Sequence, residues 1–471
     1  MITLIILNEV KNSLLSLRFV IGLLFVLIVC TGGSLIFCRK YLNEKEKDGF
    51  NNQQNESEVE SDAHQGLESL YESGFQCVKQ QDLSSFFASG NEARIPKTMV
   101  VRPMAPQSAL TSGGMIVSSG GRNYKIENYT DFDCTFIVGV VLSFLAIILG
   151  FDAVSRDREN GTLKQQLSNA VPRASILLGK FAAIMVLLSI TILIGSLLST
   201  VLFQAVLGRT VLTAFPAASL LSAVLSVLYL AMFVWLSLWI SASSARSTTS
   251  LALLLLAWMF LVVLSPYVGG MLAQQYFPIP SPEQNYQNFQ MAMNADPYPP
   301  AYGDFFHGKG SEENWPSVDQ FYQRQDNRFE QLLNQRFNEL TTQSLKGEEF
   351  NSISPYGAFR TAMERIANTG LAYHVKFFQA ARRYRFEMLE FVREQDRLDP
   401  QSRHHIASLR QIRSMSNKPV DPVIVPRFIA PSRAVAFDDL IATLPAVGYI
   451  LILNVLFFFA ALLMFQRMDV R

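Results

Sequence analysis

Few side chains in this sequence are arranged in a pattern that could carry out chemistry. A phosphate-binding loop needs glycines, a lysine and a hydroxyl at fixed spacing, because its backbone N–H groups surround the phosphates. The run HGKG at residues 307–310 lacks the first glycine and the hydroxyl, and neither G-x-S-x-G nor H-E-x-x-H occurs. The sequence therefore predicts a chain that is not an enzyme and binds no nucleotide or other cofactor. Active transport by this chain would need another subunit to supply the energy.

Metal binding is not predicted either. The histidines after residue 273 lack carboxylate or cysteine neighbours at metal-ligand spacing, which favours solvated or core roles. They are His307, His374, His404 and His405. Cys77 and Cys134 are the only cysteines outside the predicted spans. An oxidising compartment would permit them to form a disulfide, and two unpaired thiols are the alternative, because Cys134 lies at a membrane boundary.

A charged island, RDRENGTLKQQLSNAVPR at residues 156–173, separates two apolar runs. Thr162 and Gln165 have the spacing of a capping box, in which the hydroxyl and the amide satisfy N–H groups at a helix start. Gly161 permits a sharp turn before this helix, and Glu159 adds negative charge near its positive end. Pro172 ends it. The pattern predicts a helix of about two turns projecting from the membrane.

Leu163 and Leu167 give this short helix one apolar ridge, since residues four apart lie on the same face. Such a ridge suits a docking groove on a partner. A solvated connector whose leucines rest on the bilayer surface fits the pattern equally well.

The elements that hold the island are membrane spans. Hydrophobic residues make up 49% of the chain and charged residues only 17%, and several uncharged stretches are long enough to cross a hydrocarbon core about 30 Å thick. The sequence predicts an all-α polytopic membrane protein. Its predicted spans are Phe19–Cys38, Thr135–Phe151, Phe181–Leu207, Pro216–Ser241, Leu251–Ala273 and Leu440–Phe465. A net charge of +1 gives no case for nucleic-acid binding, and uncharged span interiors argue against an ion-coupled transporter.

The lysines and arginines of the short loops predict the orientation. Placing the N-terminus in the cytoplasm leaves Arg209 alone in the short outer loop. The inner set is then Lys11, Arg18, Arg156, Arg158, Lys164, Arg173, Lys180, Arg246, Arg467 and Arg471. Arg39 and Lys40 oppose this bias, but they begin a segment long enough to translocate despite its charge. Both termini are therefore predicted to be cytoplasmic, with residues 39–134 and 274–438 on the other side.

These two regions, called here the first and second insertions, differ in composition. Residues 42–66 of the first contain few apolar side chains and predict a flexible start. TMVVRPM and GGMIVSSGG predict short strands after it. In the second insertion, apolar residues recur every three or four positions over 318–340 and 371–398, which predicts two amphipathic helices able to pack as a hairpin. Four prolines in KPVDPVIVPRFIAPSRA predict an extended return to the membrane.

Two features of the spans bear on a path for a substrate. Trp258, Pro266 and the glycines at 269 and 270 predict a broken or tilted outer end of the fifth span, where two protomers could meet. Tyr229, Trp235 and Trp239 could line a path, but interfacial anchoring or packing is the alternative.

The residues around the island carry a resemblance to a known family. GFDAVSRDRENGTLKQQLSNAVPRASILLGKF resembles the segment after the second span of ABC-2 type transporter permeases. The matching positions are Asp152, Glu159, Gly161, Thr162, Leu163, Pro172, Arg173, Leu178, Gly179 and Lys180. Residues 1–18 are similar to the family's amphipathic connecting helix, and residues 466–471 to its short basic tail. SPYGAFRTAMERIANTGLAYHVKFFQAARRY is similar to a subgroup with large external insertions, whereas residues 39–134 have no clear counterpart.

The resemblance implies six spans per protomer, as in type V ABC exporters, in a homodimer or heterodimer with two copies of an ABC ATPase that binds ATP and Mg²⁺. Within the loop 152–180, residues 159–170 would form the coupling helix, which sits in a groove of the ATPase. The implied coupling residues are Glu159, Gly161, Thr162, Leu163, Leu167 and Arg173. SASSARSTTS, with Arg246 as its only charge, would give a second contact. The family also implies a bacterial inner membrane.

With uncharged spans, we expect export or flipping of a hydrophobic or amphipathic substrate. The alternative is a subunit that transports nothing and relays ATPase motion through the two insertions to an extracytoplasmic envelope partner.

Overall fold

A computed structural model of the chain describes residues 2–79, 82–90, 98–103, 132–162, 165, 172–299, 315–402, 404, 415–433 and 437–468. Most of this part is helical. In chain order the helices are α1 (Ile2–Leu14), α2 (Leu17–Gln65), α3 (Leu67–Glu72), α4 (Cys134–Phe136), α5 (Ser143–Gly150), α6 (Ser155–Glu159), α7 (Arg173–Leu207), α8 (Val211–Ala214), α9 (Pro216–Ser243), α10 (Ser247–Trp258), α11 (Ser265–Tyr276), α12 (Pro282–Met293), α13 (Trp315–Asn351), α14 (Pro355–Ile366), α15 (Gly370–Arg397) and α16 (Phe437–Arg467).

Among the described residues, six stretches are long and apolar enough to cross a membrane, which confirms the predicted all-α polytopic fold. We number them as spans one to six. They lie in Leu17–Gln65, Cys134–Glu159, Arg173–Leu207, Pro216–Ser243, Ser247–Tyr276 and Phe437–Arg467. Ser16 caps the helix of the first span, its hydroxyl accepting from the Phe19 N–H at 3.3 Å.

The second and fifth spans each contain a π-helical segment, at Ile137–Leu142 and Met259–Leu264. The segment in the fifth span ends two residues before Pro266, so the irregularity predicted there is a local widening of a helix that resumes at Ser265. A Cβ atom added at Gly269 would lie 2.0 Å from Asn351 Oδ1. This glycine therefore lets the end of α13 lie directly against α11, the last part of the fifth span.

The predicted flexible start of the first insertion is wrong. The helix of the first span continues without a break to Gln65, 49 residues in all. Val59 and Ala63, one helical turn apart, are buried, and Gln54 donates to Glu58 across one turn at 2.8 Å. These few buried apolar residues, together with polar pairs one turn apart, stabilise the helix where it packs on other elements.

The first insertion also holds a two-stranded antiparallel sheet, β1 (Phe75–Val78) with β2 (Thr98–Val101), in the register Phe75 opposite Val101. The predicted strand TMVV is confirmed as β2. Its partner β1 was not predicted, and GGMIVSSGG lies outside the described residues. A 3₁₀ helix, Leu83–Phe86, follows β1 and packs into the core formed by the spans.

Helices α13 and α15 confirm the two amphipathic helices predicted in the second insertion. Their apolar faces meet where the Phe337 and Phe378 rings stack with centroids 3.7 Å apart. Around them the sheet, α3 and the end of α2 form a second hydrophobic core, separate from that of the spans. Residues 418–433 return without a helix or strand, extended as predicted except for a turn at residues 422–424, and Pro426 accepts a hydrogen bond from the Tyr384 hydroxyl.

Helix α14 separates α13 from α15, so the two do not form a simple hairpin. The start of α14 is inserted among the spans: Ser354 Oγ donates to the Leu261 carbonyl at 2.8 Å. The Phe359 ring stacks on Tyr229 of the fourth span at 4.3 Å. The second insertion is thereby attached to the bundle through the core of the spans as well as through its chain connections.

Candidate functional site

The candidate site lies at the end of the bundle that carries α1, the loop after the second span, the loop between spans four and five, and the end of the sixth span. We call it the terminal end. Lys180, near the start of the third span, is its most buried charge, with the side chain 4% exposed. Its ammonium donates to Glu9 Oε1 of α1 at 2.7 Å and to Asp157 Oδ2 of α6 at 2.6 Å. A charge removed from water needs such partners, so three segments converge on one side chain.

Close packing brings α1 to this position. A Cβ atom at Gly179 would lie 2.8 Å from Ile5 Cγ2, so the glycine allows α1 to lie directly on the third span. Ile5 packs against the core of the spans, whereas Leu7 is exposed. Helix α1 therefore lies across the terminal end with one apolar side inward, as expected for a connecting helix.

A second ion pair joins the first two spans. Arg18 Nη1 lies 2.6 Å from Asp152 Oδ2, and its guanidinium lies 5.0 Å from the centre of the Phe151 ring. Arg156 is 3.7 Å from the same carboxylate. The first turn of the first span is thus attached to the chain leaving the second span.

Glu159 contacts the fifth span. Its carboxylate accepts from the Ser247 N–H at 2.9 Å and from the Ser247 hydroxyl at 2.5 Å. These are bonds to the first residue of α10, so the negative charge lies at the positive end of that helix. Glu159 is therefore a capping group supplied by another loop as well as a candidate contact residue.

The serines of SASSARSTTS, residues 241–250, make hydrogen bonds to the chain that leaves the second span. Ser241 Oγ accepts from the Val154 and Ser155 N–H groups, each at 3.1 Å. Ser250 Oγ donates to the Phe151 carbonyl at 2.7 Å. The loop after the second span is thereby held along the ends of spans four and five. Arg246, beside the Glu159 contact, is exposed.

Arg173 begins the third span and binds the end of the sixth. Its Nη1 donates to the carbonyls of Phe465, Gln466 and Met468 at 3.2, 2.7 and 3.3 Å. The last carbonyls of a helix have no partner within that helix, and a cation near them also suits the helix dipole. Arg173 is thus a cap for the last span.

The tip of the charged island is exposed. Gly161 has φ +72°, with nothing within 4 Å of an added Cβ, which confirms the predicted turn. The Thr162 hydroxyl donates to the Asp157 carbonyl and carboxylate, each at 3.2 Å. The predicted capping box stays a prediction. Leu163, Leu167 and most of the predicted short helix lie outside the described residues.

Glu159, Gly161 and Thr162 therefore lie together, with Arg246 next to Ser247, whereas Arg173 is engaged with another span. Sequence reasoning missed the Lys180 cluster and the pair of Arg18 with Asp152. One signal was present: a lysine immediately before a long apolar run requires an acidic partner if it is buried.

Cys77 and Cys134 are both free thiols. Cys77 lies in β1 within the core of the insertions, and Cys134 packs against the core of the spans. His374 is half-buried, and this burial together with the Lys79 charge lowers its pKa to about 4. No group of three or more metal-ligating side chains occurs among the described residues. His307 and His405 lie outside them.

The aromatic side chains of the fourth span are packing residues. The Tyr229 hydroxyl donates to the Gly139 carbonyl at 3.0 Å, and the side chain is fully buried. Trp235 stacks on Phe181 at 4.0 Å, and Trp239 stacks on Phe457 at 5.8 Å. These contacts therefore fit the packing alternative better than a role in lining a path for a substrate.

Comparison with known proteins adds one finding. A family model described as "ABC-2 family transporter protein" matches residues 3–470, nearly the whole chain and including residues 39–134. Among curated proteins, none matches.

Proposed function

Because the chain belongs to the ABC-2 family of transporter proteins, and so is the permease subunit of an ABC transporter that pairs with an ABC ATPase, we propose that the loop after the second span is its coupling element. In this proposal the ATPase binds residues 159–170, the segment that begins with the exposed Glu159, Gly161 and Thr162. ATP and Mg²⁺ bind to the ATPase, and this chain itself has no catalytic role.

The contacts behind the tip support the proposal. Asp157 is bound to Lys180 of the third span, and Glu159 to Ser247 of the fifth. Asp152 is bound to Arg18 of the first. The tip is therefore connected to three spans and α1, and the contact that is costly to separate is that of Asp157 with the buried Lys180. This convergence is the observation that carries the proposal.

The proposed setting follows from the same loop. The terminal end faces the cytoplasm, where ATP is available, and the insertions lie on the opposite side of a bacterial inner membrane. We propose two permease protomers and two ATPase copies per complex. Large apolar side chains remain exposed on the fifth and sixth spans, such as Leu256, Phe260 and Ile452, and these faces are available to lipid or to the second protomer.

We propose a hydrophobic or amphipathic substrate that is exported or flipped. The most apolar window of each span holds at most two charged residues, and the charged clusters described above lie at the terminal end. Small ionic substrates would need binding groups within the membrane.

The long helix α2 favours a second candidate function, the relay of motion to a partner outside the membrane. At 49 residues this helix is about 73 Å long, more than twice the thickness of a hydrocarbon core. Its far end holds the second insertion, since the Val420 N–H donates to the Ala63 carbonyl at 2.8 Å. Movement of the first span relative to spans four and five, where α14 is anchored, would therefore act on the second insertion at this contact. An inter-protomer cavity reaching the membrane midplane would favour transport, and a sealed dimer seam would favour relay.

Co-purification with the ATPase tests the docking assignment. Leu163→Asp combined with Leu167→Asp places charge on the proposed apolar ridge, and we expect ATPase binding to fall at least about tenfold. Ser168→Asp combined with Asn169→Asp adds the same two charges on the side of the predicted helix away from the leucines and should bind normally. Unchanged ATPase binding and stimulation in the double variant would show that the loop is not the docking surface.

A further inference from the structure

A cavity of about 230 Å³ lies between the first four spans of a single protomer. Its walls include Cys30 of the first span, Leu142 of the second, Ser199 of the third and Ser222 of the fourth. None of its lining residues belongs to the terminal-end clusters. The cavity is thus distinct from the proposed coupling site, and it lies inside one protomer.

The cavity is elongated along the third span. Thr191, Gly195, Ser199 and Phe203 recur every four residues and all line it, so it follows one face of that helix for about 18 Å. One leaflet of a hydrocarbon core is about 15 Å thick. The cavity therefore runs along the third span over about the depth of one leaflet, and its volume accommodates part of one acyl chain.

The lining suits a ligand without charge or strong polar groups. None of the described residues that line the cavity is charged. Its hydroxyl hydrogens are used within their own helices: Ser199 donates to the Gly195 carbonyl at 3.0 Å, and Ser226 donates to the Ser222 carbonyl at 2.7 Å. Such hydroxyls present mainly carbon and weak acceptors to the cavity.

One end is closed by aromatic rings and one side is open. Phe86, from the 3₁₀ helix of the first insertion, packs edge to face on Phe203 at 4.7 Å and lines the cavity. Ser196 of the third span and Ala223 of the fourth line the cavity and are also exposed. The cavity therefore reaches the surface between these two spans, where a membrane would place lipid.

We propose that this cavity binds one hydrocarbon chain of a membrane lipid, which enters between the third and fourth spans and extends along the third span toward Phe86 and Phe203. Burial of methylene groups against apolar walls supplies the binding free energy. The site does not depend on which molecule the complex transports, and it places a lipid chain beneath a segment of the first insertion.

Photo-crosslinking with a defined lipid tests the proposal. The full chain is placed in nanodiscs of synthetic phosphatidylethanolamine and phosphatidylglycerol that contain a phospholipid with a diazirine near the end of one acyl chain. After illumination, adducts are mapped by mass spectrometry. We expect adducts at the buried positions Ser199, Ser222 and Ser226. Adducts confined to exposed positions such as Leu197 and Leu220 would overturn the proposal.

A variant at the opening provides the matched comparison. Ala223→Trp places a large side chain at the opening and should reduce adducts at Ser199 and Ser226 at least about tenfold. Val224→Trp adds the same side chain at an exposed neighbour outside the lining and should leave them unchanged. Equal labelling of Ser199 and Ser226 in both variants would contradict the proposal. If the Ala223 variant does not fold, the positions of the adducts in the wild-type chain test the proposal on their own. If a native membrane extract reduced the labelling at these positions but added synthetic lipid did not, the bound hydrocarbon chain would belong to a minor lipid or to a lipid-like substrate.

Discussion

The Lys180 ammonium donates to the Asp157 carboxylate at 2.6 Å, linking the start of the third span to the loop that leaves the second. Glu9 of α1 accepts from the same ammonium at 2.7 Å. Movement of Asp157 relative to the third span would separate a buried lysine from its partner, which is energetically costly. The loop, α1 and the third span should therefore move together when the partner ATPase acts.

Lys180→Met should destabilise the terminal end by about 1–3 kcal/mol, because it removes the charged hydrogen bonds to Glu9 and Asp157, whose carboxylates are partly exposed and keep some contact with water. Thermal unfolding of the purified chain measures the loss. Lys11→Met removes the same charge type from an exposed position of α1 and should have little effect. Equal melting temperatures for the two variants would show that the Lys180 cluster contributes no stability.

Glu159→Ala should loosen the start of the fifth span, because it removes the acceptor of the Ser247 N–H. Hydrogen exchange of the amides at residues 247–250 should become about fivefold faster. Glu159→Ala combined with Ser247→Ala should exchange no faster than the Glu159 variant alone, since both changes remove the same contact. Faster exchange in the double variant than in Glu159→Ala would indicate that Glu159 acts through a contact other than the one with Ser247. Arg158→Ala, a change at an exposed neighbour, is the control.

Arg173→Gln should fray the end of the sixth span, where the guanidinium binds three carbonyls. Exchange of the amides at residues 464–468 should rise about fivefold, and Arg467→Gln should change it less. If ATPase binding fell in Arg173→Gln while exchange did not change, Arg173 would instead be a direct contact residue, as the family resemblance implies.

Glu348 makes the stability of the second insertion depend on pH. Burial, with the neighbouring Glu364 carboxylate, raises its pKa to about 7. The folded chain therefore holds a proton that the unfolded chain releases near its ordinary pKa. The resulting stabilisation is complete below that ordinary value and is lost as pH rises through about 7.

We expect the insertion to lose about 2 kcal/mol of stability between pH 5 and about pH 8, less than the full shift would give because the side chain is only partly buried. Glu348→Gln should remove this slope. Glu349→Gln, at the exposed neighbouring position, should retain it. Thermal unfolding at several pH values measures both, and a slope unchanged by Glu348→Gln would assign the pH dependence to another group.

The sequence was sufficient for the spans and for the amphipathic helices, because each carries its own periodic or continuous apolar signal. The helix over residues 42–65 was missed because its stabilising stripe is short: Val59 and Ala63 are apolar in a segment otherwise dominated by polar side chains. Strand β1 was missed because four residues carry little pattern until their partner β2 is known.

The candidate site was predicted only in part, because its contacts join residues distant in sequence. Gly161 was predictable, since a turn requires its backbone conformation locally. The contact of Glu159 with Ser247, 88 residues apart, and that of Arg173 with the end of the sixth span leave no local signal. A charged loop residue could as readily face a partner as cap a helix of the same chain.

Hydrogen exchange of the complete permease–ATPase complex, with and without ATP trapped by vanadate, tests the central claim most directly. We predict that trapping changes exchange in residues 152–162, in α1 and at the starts of spans three and five. In Lys180→Met, we expect the ATPase to remain bound and the change at α1 and the third span to be lost. An identical pattern in wild type and Lys180→Met would contradict the claim that this loop transmits ATPase motion through Lys180.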